Sequence, residues 1–164
     1  MKTRTKARSF ALQVLYEIDM TGHLPGDVFE SRLEEEPLDE SLANFAREIV
    51  TGIIPLTEKL DQFIAQHAPE WPMDQVAVID RNILRISLWE FAVANCTPIK
   101  VAINEAIELS KLYGSDSTPR FVNGVLGSLA VRQNELQHAF GVPKNPPALE
   151  EEVETTQDEP PTKE

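Results

Sequence analysis

A chain of 164 residues with 15 Lys and Arg against 27 Asp and Glu has a formal net charge of −12. That excludes a protein gripping nucleic acid over its whole surface, since phosphates are drawn to Lys and Arg. The length fits one domain able to bury roughly 70% of its unfolded surface.

A single cysteine, Cys96, leaves no internal disulfide, and His23, His67 and His138 lie too far apart for ligand spacing. No metal or other cofactor is expected, and a reduced cytoplasm fits best. The charge is uneven: residues 1 to 8 hold Lys2, Arg4, Lys6 and Arg8 without an acid, whereas acids gather in Asp27 to Glu40 and after Gly141. A local anion site is therefore open to the chain. Behind the basic start, Ser9, Gln13 and Glu17 interrupt what a signal peptide would keep apolar, and no stretch approaches membrane-spanning length.

From Lys6 to Met20 the apolar positions Ala7, Phe10, Ala11, Val14, Leu15 and Ile18 repeat at i, i+3, i+4 and i+7, which predicts a helix. Lys2, Lys6, Ser9, Gln13 and Tyr16 follow one another on another side, with Arg4 and Arg8 on the adjoining edge. Spacing alone fits a solvated face or a phosphate grip with one aromatic for base stacking. Thr21 to Gly26 reads as a turn, and a short helix follows around Asp27 to Glu35, with Glu34, Glu35 and Glu36 a solvated end. Asp39 to Ile54 is amphipathic, capped by Asp39 or Ser41, and Pro55 either kinks it or separates it from a second helix reaching Ala68. His67 near that end can favour the helix dipole when protonated.

Glu70 to Met73 is a linker with an aromatic anchor and marks a boundary between two helical halves. Between Asp74 and Asn95 apolar residues nearly encircle the helix, which places it at the centre, and Asp80, Arg81, Arg85 and Glu90 suggest ion pairing at the seam. Pro98 to Ala130 reads as a helical hairpin. Lys111 and a left-handed Gly114 close its first helix, Ser117 or Thr118 caps the second, and Pro119 opens it. Gly124 and Gly127 leave room for a neighbouring helix, and Asn104 and Asn123 are expected to bury hydrogen-bonded amides. After Leu136 the pattern dissolves, and residues 141–164 read as a disordered acidic tail.

No nucleotide-binding Gly loop, Gly-x-Ser-x-Gly, His-Glu-x-x-His or Cys-x-x-Cys is present, so an enzyme reading has no nucleophile. The segments Val101 to Lys111 and Arg120 to Leu126 instead resemble the signature of the NusB family. The similarity continues through Ile79 to Ile86 and Arg8 to Tyr16, and covers roughly residues 4 to 136.

The resemblance implies an all-α fold of two packed helical subdomains, about 1–70 and 71–140. It implies RNA binding by the basic start, with Arg8 and Tyr16 at matching positions. The RNA-binding set is Arg4, Lys6, Arg8, Gln13, Tyr16 and Arg120, the last opening the second signature segment. The family's partner-binding surface near the start of the central helix makes Asp80 a candidate partner contact.

The implied activity is transcription antitermination: joining the ribosomal protein NusE, recognising single-stranded boxA-type RNA in nascent ribosomal transcripts, and suppressing premature termination within the RNA polymerase antitermination complex. The same domain occurs fused to RNA cytosine methyltransferases, so an accessory role in rRNA methylation is one alternative. An oligomerising interaction module, such as a homodimer, is another.

Overall fold

A computed structural model describes residues 2–68 and 72–141. It is helical, with no strand among the described residues. Eight α-helices follow in order: α1 Thr3–Thr21, α2 Pro25–Glu35, α3 Glu40–Ile53, α4 Thr57–Gln66, α5 Val78–Leu88, α6 Ile99–Tyr113, α7 Thr118–Val131 and α8 Gln133–Ala139.

The apolar repeat of α1 faces inward as its spacing requires: Ala7, Phe10, Ala11, Val14 and Leu15 are buried. Phe10 meets Phe29 of α2 edge-on, with ring centroids 5.2 Å apart. Gly22 ends α1 in the left-handed region at φ 70°, its N–H bonded to Ile18 O at 2.9 Å. A residue with a Cβ pays a steric penalty there.

Pro55 separates two helices rather than kinking one. A single 3₁₀ turn, Ile54–Leu56, carries it between α3 and α4. His67 closes α4, but not as a cation favouring the dipole. Burial lowers its pKa first, and the charge of Arg132 lowers it further. The Arg132 guanidinium, which can only donate, is 2.7 Å from His67 Nε2, so that nitrogen accepts.

α5 is the central helix, shorter than the expected 74–95 span. Residues 72–77 form turns, with Gln75 and Val76 N–H both bonded to Pro72 O, and helix begins only at Val78. At its other end Trp89–Val93 widens into a π turn, with Ala94 N–H bonded back to Trp89 O. Ile83, Leu84, Leu88 and Phe91 are wholly buried. The indole of Trp89 lies against Gly52 of α3, where an added Cβ would fall 2.5 Å from Trp89 Nε1.

α6 and α7 form the expected hairpin, but Gly114 is extended, at φ −85° and ψ −178°, not left-handed. It is glycine because Thr118 presses on it: an added Cβ would be 2.5 Å from the Thr118 Cβ. Two other expectations reverse. Nothing lies within 4 Å of an added Cβ at Gly124 or Gly127, so no helix approaches them. Asn104 and Asn123 are exposed, with amides outside the core.

α8 continues the fold past α7 and buries Leu136. One apolar cluster runs from Ala7 to Leu136, and α1 and α5 meet within it. The boundary expected at residues 70–71 and the acidic tail from 142 lie outside the described residues.

Candidate nucleic-acid interface

The basic start becomes the first two turns of α1, and the fold divides its cations by depth. Lys2, Arg4 and Lys6 are exposed, whereas Arg8 is only 2% exposed. Its guanidinium is taken by Glu90 of the π turn, with Nε 3.0 Å from both carboxylate oxygens and NH2 2.7 Å from Oε1. Glu90 is 1% exposed and also accepts from Thr97 Oγ1 at 2.8 Å. Arg8 NH1 lies 3.5 Å from Glu105 of α6. The expectation that Arg8 contacts RNA is therefore corrected: its fork is turned inward and its charge is matched. It fixes the start of α1 to α5 and α6.

Arg4 lies 4.6 Å from the centroid of the Phe45 ring, which supports the guanidinium from below. Further along, the stripe is occupied by the protein itself. The Tyr113 hydroxyl of α6 bonds Ser9 Oγ and accepts from Gln13 Nε2 at 3.1 Å. Arg32 of α2 donates to Gln13 Oε1 at 3.1 Å and to Glu17 at 2.8 Å. Tyr16, 37% exposed, stands beyond that clasp.

The face thus has cations at one end, an aromatic at the other, and an internally bonded Gln13 between. Nothing in the spacing of the sequence points to Arg32 or Tyr113, because only the packing of α2 and α6 on α1 brings them there. Arg120 is exposed in the first turn of α7, and no described contact joins it to the α1 stripe.

Asp80 opens onto a pocket of about 350 Å³ with Ala77, Ser117 and Phe121. Thr118 Oγ1 donates to Asp80 Oδ1 at 3.0 Å and accepts from Ser115 N–H at 2.9 Å. One threonine thus ties α5 to the α6–α7 turn. Burial raises the Asp80 carboxyl above its ordinary value, and the Thr118 bond offsets part of that rise. The folded state then holds this proton to higher pH than the unfolded chain, and stability falls as pH rises between the two pKa values. Asp80→Asn keeps an acceptor for Thr118 and removes that slope. Urea unfolding from about pH 4 to 7 is expected to show the variant gaining on the wild type as pH rises. Parallel curves would refute the burial account.

Among the described residues no group of His, Cys, Asp or Glu is arranged to hold a metal, and no helix is long and apolar enough to cross a membrane. Fold and face define an all-helical domain that presents a short basic helix end on an otherwise acidic chain. Residues 5–131 match the model of the NusB family, and the chain belongs to that family.

The transcription antitermination protein NusB of Dehalococcoides mccartyi is 45% identical over 128 residues, which are 78% of this chain and 90% of that protein. That of Bacillus subtilis is 40% identical over 129 residues, 79% and 95% of the two chains. Among solved structures, T. maritima NusB superposes with a TM-score of 0.75 at 29% identity, covering 85% of this chain and 99% of the other. A chain in the crystal structure of antitermination factors NusB and NusE in complex with dsRNA gives a TM-score of 0.72 at 26% identity, covering 85% and 98%.

Proposed function

We propose that this protein is a transcription antitermination factor. It binds boxA-type RNA in nascent ribosomal transcripts together with ribosomal protein NusE, and so suppresses premature termination by RNA polymerase. The observation that carries the reading is the exposure of Lys2, Arg4 and Lys6 on two turns of one helix, with Tyr16 on the same helix beyond them. Cations at that density hold phosphates, and an exposed ring accepts an unstacked base. Family membership supports it, as does the likeness to a solved complex that contains NusB, NusE and RNA. Asp80 and its pocket are the surface offered to NusE.

The three exposed cations at this end of α1, on a chain of charge −12, release few counterions, so RNA binding is weak alone and strengthened by a basic partner. The coupling is reciprocal: RNA and partner raise each other's affinity by the same factor. Asp80→Lys weakens the partner step first.

The test is a titration of the full chain, with and without NusE, against boxA-like and scrambled single strands and a duplex, across salt. Arg4→Ala is expected to flatten the slope of log K against log salt by about 0.7, and Tyr16→Ala to lose about 1–3 kcal/mol. Arg8→Ala instead lowers stability. Sedimentation in the same titration reads whether a homodimer occupies the face. Unchanged affinity in the folded Arg4 and Tyr16 variants rejects this surface, and equal RNA affinity with and without NusE rejects the adaptor mechanism.

A further inference from the structure

Arg4 differs from the other exposed cations of the basic start in the side of α1 from which it springs. It shares the helical spacing of Ala7, Arg8 and Ala11, all buried, whereas Lys2 and Lys6 belong to the polar stripe. Arg4 is nevertheless exposed. α3 packs along α1, and the Arg4 side chain crosses the face of its Phe45, with the guanidinium carbon 4.6 Å from the ring centroid.

Phe45 is a fixed support. It is 8% exposed and belongs to the main apolar cluster. The Arg8 guanidinium lies 5.3 Å from the same centroid, and both carboxylate oxygens of Glu90 hold that group in turn. The ring is thus kept in place by the core and by a buried ion pair.

The Arg4 guanidinium is uncommitted. No described hydrogen bond or ion pair engages it, and the first turn of α1 carries no acid. It lines a cleft of about 380 Å³ with Lys2, Thr97 and Pro98. Glu105, the carboxylate in that cleft, already accepts from Thr5 Oγ1 at 2.7 Å and faces Arg8. A guanidinium over a ring is attracted through its face and keeps its N–H donors, which lie in its plane, for a ligand.

We propose that Phe45 is a positioning residue for RNA: its ring holds the Arg4 guanidinium before binding, so that a phosphate meets a fork already oriented. The holding stands on the geometry above; its consequence for RNA rests on the proposed function. Ordering a long side chain in advance removes a cost that binding otherwise carries, equivalent to roughly three- to tenfold in affinity. The charge is the same with or without the ring, so the gain is independent of salt.

The experiment uses the full chain and its Phe45→Leu, Phe45→Tyr, Arg4→Lys and Arg4→Ala variants, with Phe45→Leu also made in the Arg4→Ala background. Without RNA, the Arg4 side-chain NMR signals are expected upfield of ordinary arginine positions, shifted by the ring current. They are expected to return to ordinary positions in Phe45→Leu and to stay shifted in Phe45→Tyr.

With a boxA-like RNA, Phe45→Leu is expected to bind roughly three- to tenfold more weakly, with the slope of log K against log salt unchanged, and Phe45→Tyr to bind as the wild type does. In the Arg4→Ala background Phe45→Leu is expected to cost no further affinity, whereas a merely structural role would weaken binding equally in both backgrounds. Arg4→Lys leaves the core untouched and keeps the charge while losing the flat fork. It is expected to weaken binding to a similar extent, and it carries the test if Phe45→Leu folds poorly.

Ordinary shifts for Arg4 in the wild type overturn the holding. An equal loss in both backgrounds, or Arg4→Lys binding as the wild type does, overturns the positioning role. RNA that binds none of these proteins, the wild type included, sinks the RNA reading, while the Arg4 signals still decide whether the ring holds the side chain.

Discussion

Replacing Glu90 by alanine is expected to cost the fold about 3–5 kcal/mol, because it leaves the Arg8 guanidinium buried without its main counter-charge. Arg8 is 2% exposed and Glu90 1%, so water cannot replace the lost carboxylate without opening the junction of α1, α5 and α6. Glu105, at 3.5 Å, lies beyond hydrogen-bond length and is already bonded by Thr5. Thr97 loses its acceptor as well. Urea unfolding is expected to show a lower midpoint with the slope unchanged. Arg8→Met combined with Glu90→Leu is expected to recover most of the loss, since apolar pairs of similar volume often replace a buried ion pair at little cost. A Glu90→Ala protein within about 0.5 kcal/mol of wild type would show that the pair contributes little.

This pair also marks where the sequence stopped being legible. The stripe of α1 and the helix ends of the α6–α7 hairpin are local patterns and fall where the sequence puts them, although Gly114 closes α6 in an extended rather than a left-handed conformation and no side-chain bond caps α7. Whether Arg8 faces water depends on Glu90, 82 positions away, and nothing within a helix turn of Arg8 announces it.

The same holds for Tyr113, whose hydroxyl closes over Ser9 and Gln13 from 100 or more positions along the chain. Periodicity overran the start of α5 because Val76 is buried although it sits in a turn, so an apolar count cannot separate it from the helix behind. Gly124, Gly127, Asn104 and Asn123 misled in the opposite direction. Small or polar residues on an amphipathic helix suggest inward roles, whereas the helix turns that side to solvent. The exposure of Lys2, Lys6 and Tyr16 is recoverable from spacing, since each falls off the apolar stripe; that of Arg4 is not, because it shares the spacing of Ala7 and Ala11.

The second large effect is expected at Arg85, and it separates a charge that can rehydrate from one that cannot. Arg85 is 5% exposed. Its Nε and NH2 hold the two oxygens of Asp61 at 2.7 and 2.6 Å, and NH1 reaches Asp19 at 2.9 Å and Asn82 Oδ1 at 3.1 Å. Asn82 in turn donates to Asp19 at 2.9 Å. One guanidinium therefore ties the end of α1, α4 and α5. Burial works to lower its pKa, but the hydrogen bonds and charges of Asp61 and Asp19 outweigh that and hold it above the ordinary arginine value.

The carboxylates keep about a quarter of their side-chain surface in water, at 23% and 26%. Removing either acid alone leaves Arg85 one carboxylate, and the expected cost is about 1–1.5 kcal/mol. Removing both strands the buried cation, and Asp19→Ala/Asp61→Ala is expected to exceed the sum of the single losses, with the total reaching about 3–5 kcal/mol. Arg85→Lys keeps the charge but cannot fork to both aspartates, so it falls between the single and double losses. Urea midpoints of the four variants check this order, and strictly additive losses for the two aspartates would show that they do not share Arg85 as a common partner.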